Sequence, residues 1–189
     1  MLIQTKHNNI ATYSSRNQAT LIKGGHAFFE LLEQLIAKAK HSIHLQTYIF
    51  INDETGQRIT NALQAASTRG VKVYLLLDGY GSQQITDKWT HTLKENGIQF
   101  RWFSSLLHTR NFYFGRRLHH KVFVADATFA LVGGINITNR YNDMPEDPAW
   151  LDWALYFEGE AAAEVFMVCV DVWTRSSWGK TSKEIITKQ

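Results

Sequence analysis

The sequence predicts an α/β domain built on a mixed, mostly parallel β-sheet with helices on both of its faces. Three observations lead there. Apolar residues recur at helical spacing in successive segments, short runs rich in β-branched and aromatic residues follow them, and glycines stand where two of the helices should stop. Strands that alternate with helices in this way are ordinarily parallel, because each helix carries the chain back across the sheet.

The elements follow in order. After a polar lead, "GGHAFFELLEQLIAKAK" has apolar residues at Phe28, Leu31, Leu32, Leu35 and Ile36, one stripe of a helix, and "HSIHLQTYIF" switches to strand-like residues. "GQRITNALQAASTRG" reads as a helix closed by Gly70, "VKVYLLLDG" as a strand, "ITDKWTHTLKENG" as a helix closed by Gly97 and "IQFRWFS" as a strand. The pattern then breaks into a loop from about Ser105 to Leu118. Two apolar runs, 119–125 and 129–132, are separated by Asp126, Ala127 and Thr128, which predicts a hairpin. A strand "WALYFEG" and a helix over about 160–174 follow, and the polar "SSWGKTSKEIITKQ" trails behind.

The chain of 189 residues, 44% hydrophobic and 20% charged, suits one domain able to bury a core. A formal charge of +3 and a pI near 9.0, with no block of like charges, do not by themselves point to nucleic acid or an anionic membrane, and are compatible with an anionic substrate. The one cysteine, Cys169, excludes an intrachain disulfide framework and lies in the apolar run "AAAEVFMVCVDVW", so it reads as a small core residue in a reducing compartment. The N-terminal "MLIQTKHNNI" lacks a signal-peptide core, and the most apolar segment, 161–173, is interrupted by Glu164 and Asp171. No membrane span is expected.

The chemistry concentrates in "RRLHHKVFVADATFALVGGINIT". Side chains alternate along a strand, so His119 and Lys121 share one face and His120 takes the other. With the turn centred on Ala127, residue 121 lies opposite 133 and 119 opposite 135, bringing Gly133, Gly134 and Asn136 beside the histidine and lysine. This collects a nucleophile or base, a cation, an amide donor and glycines that let a ligand approach the backbone, which are parts suited to phosphate. A His-x-Lys-x4-Asp match occurs by chance in roughly one chain in a hundred of this length. The weight of the reading therefore falls on the glycine pair and Asn136 at fixed further spacing.

With His119, Lys121, Asp126, Gly133, Gly134 and Asn136, the sequence resembles the phospholipase D superfamily, whose signature is His-x-Lys-x4-Asp-x6-Gly-(Gly/Ser)-x-Asn. The blocks "QTYIFINDETGQRI", "GVKVYLLLDGYGS", "GIQFRWFS" and "LDWALYFEG" resemble those of the first lobe of bacterial cardiolipin synthases, over roughly residues 20–172. The resemblance implies a lobe at 21–176 between a polar lead (1–20) and a polar tail or linker start (177–189). It also implies that His119 is a nucleophile forming a phosphohistidine, that Lys121 and Asn136 bind phosphoryl oxygens, and that Asp126 is a hydrogen-bonding support at the turn. Asp152, from the matching "LDWALYFEG", is the implied carboxylate partner of His119 Nδ1. Gly133 and Gly134 would line the substrate, and Arg116 and Arg117 of the "NFYFGRR" loop would attract headgroups. His120 falls at a variable position and reads as strand surface or site rim. No cofactor and no metal are expected.

Superfamily sites use two such motifs, one histidine attacking and the other protonating the leaving alkoxide. Here no histidine other than His119 has a lysine two residues on, and His108 comes nearest with Arg110. The expected partner is a second lobe or a symmetric second copy of the chain. Three functions stay open: a phosphatidyltransferase lobe acting on an anionic phospholipid at the cytoplasmic side of a bacterial membrane, a homodimeric phosphodiesterase or nuclease, and a non-catalytic binding module.

Overall fold

The computed structural model describes residues 16–103 and 117–175. Within them the chain runs β1 (Asn17–Lys23), α1 (His26–Lys38), β2 (Ser42–Thr47), α2 (Glu54–Thr68), β3 (Lys72–Asp78), α3 (Asp87–Glu95), β4 (Gln99–Phe103), β5 (Lys121–Ala125), β6 (Phe129–Gly133), a 3-10 turn (Asn139–Tyr141), β7 (Trp153–Gly159) and α4 (Glu160–Arg175). The seven strands form one sheet in the order β1-β7-β6-β5-β2-β3-β4.

The predicted polarity of that sheet is corrected. Only β2–β3 and β3–β4, the strands joined through α2 and α3, pair in parallel. The pairings β1–β7, β2–β5, β5–β6 and β6–β7 are antiparallel, so the sheet is mixed and mostly antiparallel. The helix–strand alternation that implied parallel strands covers one half of the sheet, and the other half is built from a hairpin and returning strands. β1 adds an antiparallel edge from a segment whose polar sequence "NQATLIK" gave no strand signal, most of it exposed.

Helices do cover both faces. Phe28, Leu32 and Ile36 of α1 and Ile59 and Leu63 of α2 pack with Ile43, Leu45, Val73, Leu75 and Phe123 on one face. Ala162 and Cys169 of α4 pack against Val124, Ala130 and Phe157 on the other. Cys169 is buried among them, and burial pushes its thiol up to about 12, as suits a core residue. Gly70 and Gly97 follow the ends of α2 and α3 with φ of 91° and 79°, the left-handed geometry that favours glycine. No described helix is long and apolar enough to cross a membrane.

Candidate functional site

The hairpin forms in the expected register, with Lys121 opposite Gly133 and Ala125 opposite Phe129. At its turn Asp126 and Ala127 take φ of 54° and 51°, the left-handed pair that a tight hairpin needs. The Asp126 carboxylate accepts hydrogen bonds from the backbone amides of Lys40, His41 and Ser42 at 2.8, 2.8 and 2.9 Å. Burial alone would raise its pKa, but these three bonds outweigh it and hold the carboxyl below its ordinary value. Asp126 thus staples the turn to the loop before β2. It sits beyond the far end of β5, seven residues from His119, on the order of 20 Å away at about 3.3 Å per strand residue, and the structure does not bring it to the histidine.

At the near end of β5 the other motif residues converge. His119 lies just before the strand with its ring exposed, 5.1 Å from the ring of Tyr48, which follows β2. Lys121 Nζ donates to the His119 carbonyl at 2.9 Å and lies 5.4 Å from the Tyr48 ring centre. Burial lowers the lysine pKa, while the nearby Asp152 carboxylate opposes that shift. Asn136 is 3% exposed and accepts from the Ile49 amide at 3.0 Å through Oδ1. Its side-chain nitrogen has no partner among the described residues. The backbones beyond β2 and β6 are laced together, Ile137 N donating to Ile49 O and Ile51 N to Ile137 O, which fixes Asn136 against the segment that carries Tyr48.

Asp152 reaches this site, though not by the expected contact. Its Oδ1 accepts from the Trp153 amide at 2.7 Å, and no hydrogen bond joins it to the His119 ring among the described residues. Its charge opposes the burial that lowers the Lys121 pKa. The glycines explain how it gets there. A Cβ on Gly134 would lie 2.4 Å from the Asp152 carboxylate, and one on Gly133 would lie 2.4 Å from the Trp153 carbonyl. On the side where a Cβ would stand, both glycines are packed against β7 and Asp152, so each lets that strand approach closely. Arg117 places its guanidinium 4.9 Å over the Tyr80 ring, while Arg116 and the rest of the "NFYFGRR" loop lie outside the described residues.

His120 takes the opposite face, as the alternation predicts, but it is not a surface residue. Half-buried, it hydrogen-bonds through Nε2 to Gln46 Oε1 at 2.8 Å, and Gln46 Nε2 donates to the Cys169 carbonyl at 2.8 Å. The chain β5–β2–α4 is thereby pinned. Burial, followed by the neighbouring Lys121 charge, lowers the imidazole pKa, so the ring is a neutral structural donor.

Two positioning residues escaped the sequence reading. Asp78, 0% exposed at the end of β3, accepts from the amides of Leu118, Tyr80 and Gly81 at 2.8, 2.9 and 3.0 Å, and so ties down the residue before His119. An aspartate that ends an apolar parallel strand before "GYG" was the available signal. Tyr48 is held by Ser82, whose hydroxyl donates to the Tyr48 carbonyl at 3.0 Å. Nothing in the local sequence of Tyr48 marks it.

A family model described as "Cardiolipin synthase, PLD-like domain" matches residues 32–152. Cardiolipin synthase B of Salmonella typhimurium is 36% identical over 158 residues, covering 82% of this chain and 38% of that protein. A cardiolipin synthase of Halalkalibacterium halodurans is 31% identical over 178 residues, 90% of this chain and 34% of that one. The chain thus spans little more than a third of the length of these relatives. Among solved structures, the phospholipase D family member Nuc from Salmonella typhimurium aligns with a TM-score of 0.63 at 22% identity, over 87% of this chain and 100% of Nuc. Phosphatidylserine synthase of Haemophilus influenzae aligns at 0.65 and 21%, over 82% of this chain and 36% of that one. The His119–Asn136 hairpin lies wholly inside the matched region, on a fold that these structures share, and the chain belongs to the cardiolipin synthase, PLD-like domain family.

Proposed function

We propose that residues 21–176 are one lobe of a phosphatidyltransferase or phosphodiesterase that works through a phosphohistidine at His119 and requires a second His-x-Lys half. His119 attacks the phosphorus of a phospholipid diester and forms an N–P bond. The P–O bond to the leaving alcohol breaks, and the alkoxide takes a proton from the histidine of the second half. An incoming hydroxyl then returns its proton to that histidine and attacks phosphorus, and the N–P bond breaks to restore His119. Lys121 and the uncommitted amide of Asn136 donate to the non-bridging oxygens as charge builds there. Asp152 counters the positive charge of Lys121 and of the histidine cation.

The observation that carries this reading is the meeting, at one end of the sheet, of an exposed histidine, a lysine and an amide nitrogen that has no partner among the described residues. A lipid substrate is favoured by the apolar surface around Asp152, where Trp150, Leu151 and Trp153 are all exposed, Leu151 by 74%. The enzyme would meet such a substrate at the cytoplasmic face of a bacterial membrane. A symmetric dimer acting as a phosphodiesterase or nuclease is the second reading, favoured by the single motif and by a fold that spans the whole of Nuc.

The test is transfer from labelled phosphatidylglycerol to a lipid hydroxyl in EDTA, beside cleavage of bis-p-nitrophenyl phosphate and single-stranded DNA. Lipid transfer that persists in EDTA is the expected result. DNA cleavage without lipid transfer would favour the second reading, and loss of all turnover in EDTA would contradict the metal-free mechanism.

A further inference from the structure

A cavity of about 770 Å³ lies beside α4, at the end of the sheet opposite His119 and on its other face. Its floor is formed by Ser42 and His44 of β2, Lys72 and Tyr74 of β3, and Arg101 of β4. One wall is α4, through Phe166, Met167 and Val170. Lys40 and His41 stand at its rim.

The charges here are one-sided. Lys40, Lys72 and Arg101 line the cavity, no carboxylate does, and none of the three has an ion-pair partner among the described residues. The nearby Asp126 carboxylate is already engaged by the amides of residues 40–42. Arg101 is held in place, with its guanidinium 4.3 Å over the Trp173 ring and Nη1 donating to the Trp173 carbonyl at 2.7 Å. Those contacts engage only part of its donor fork.

The second observation is His44. His44 is 3% exposed, its ring stacked on Tyr74 at 4.5 Å and met edge-on by Phe166 at 5.3 Å, yet Nδ1 has no hydrogen-bond partner among the described residues. A buried polar atom left without a partner is disfavoured unless something supplies one. Burial pushes the imidazole pKa down to about 4, so at neutral pH this is a hydrogen-bonding group and not a charge.

We propose that this cavity is a binding site, separate from His119, for a phosphate monoester carried on an apolar body, with the phosphate at Lys72, Arg101 and Lys40 and the apolar part along Phe166, Met167 and Val170. Several unpaired cations favour a dianion, and the α4 wall favours an apolar body over a free ion. Lysophosphatidic acid, with its acyl chain, and a nucleoside monophosphate, with its flat aromatic base, both present a phosphate monoester beside a group that could lie along α4.

Isothermal titration with oleoyl lysophosphatidic acid, adenosine monophosphate and inorganic phosphate tests the site on the full chain. At least one of the two organic phosphates should bind below about 1 mM, and which one does so identifies the source. Lys72→Ala, at an exposed side chain, should weaken that binding at least about tenfold, a loss of about 1.4 kcal/mol, and Lys40→Ala should weaken it less. His119→Asn should leave it within about twofold. Binding of inorganic phosphate alone, no binding by any probe, indifference to Lys72→Ala, or loss on His119→Asn would each overturn the proposal. Lys72→Ala keeps the test decisive if an Arg101 variant fails to fold, because the exposed Lys72 side chain makes no hydrogen bond or ion pair among the described residues.

Discussion

The two sides of the His119–His120 doublet are made of the same residue type and behave as different materials. On one side the His119 ring is exposed, and among the described residues the Asn136 amide nitrogen has no partner and the Lys121 ammonium donates only to a carbonyl. On the other side His120 is tied to Gln46, Gln46 to α4, and Val122 and Val124 pack with that helix. The difference lies in satisfaction rather than in composition. The α4 side has paired its hydrogen-bonding groups around the doublet, whereas the open side holds unused donors and a nucleophile, which is what a site awaiting a substrate requires.

The strongest way to break this contrast is His119→Asn, which should lower turnover by at least about 10³-fold with little change in melting temperature. A variant that retains activity would move the chemistry elsewhere.

The next effect concerns the α4 side. The His44 pKa falls from 6.5 to about 4 because the ring is buried. As pH falls, the unfolded ring therefore takes up its proton first, near 6.5, while the folded ring stays neutral until about 4. The stability linked to His44 is present above pH 6.5 and is lost between 6.5 and about 4, by about 3 kcal/mol in total. Urea titrations across that range should show the decline, and His44→Phe should flatten it. An unchanged slope in the variant would contradict the assignment.

On the open side, Asp152→Asn should lower turnover about 10–100-fold. Gly134→Ala should reproduce that loss, because its new Cβ would displace the Asp152 carboxylate. If Gly134→Ala is fully active, the two positions are not coupled.

Asp126→Asn should cost about 1–2 kcal/mol of stability and leave kcat nearly unchanged, since its three bonds fasten the turn. A selective loss of kcat would return it to the site. The smallest effect is expected for His120→Asn, about 1 kcal/mol of stability with activity within about tenfold. Equal activity losses at His119 and His120 would erase the contrast between the two sides.

Much of this was legible in the sequence. The hairpin register and the glycine-closed helices rest on local spacing, and the structure agrees on both. Strand direction was not legible, because periodicity reports the type of element and says nothing of its polarity. β1 was hidden by its exposure, since an edge strand with few buried residues carries little apolar pattern. The roles of Asp78, Gln46 and Tyr48 depend on partners 40–123 residues away along the chain, or on a ring contact that only the folded sheet creates. The glycine pair was visible, but what fills the space beside it came from β7.

The proposed chemistry turns on a covalent bond between His119 and phosphorus. It is tested most directly by quenching turnover of ³²P-labelled phospholipid in alkali, where phosphohistidine survives, and locating the label by peptide mapping. Label is expected on the peptide that holds His119 and none in His119→Asn, with His120→Asn labelled normally. Product formation with no labelled peptide, or label that persists in His119→Asn, would contradict it.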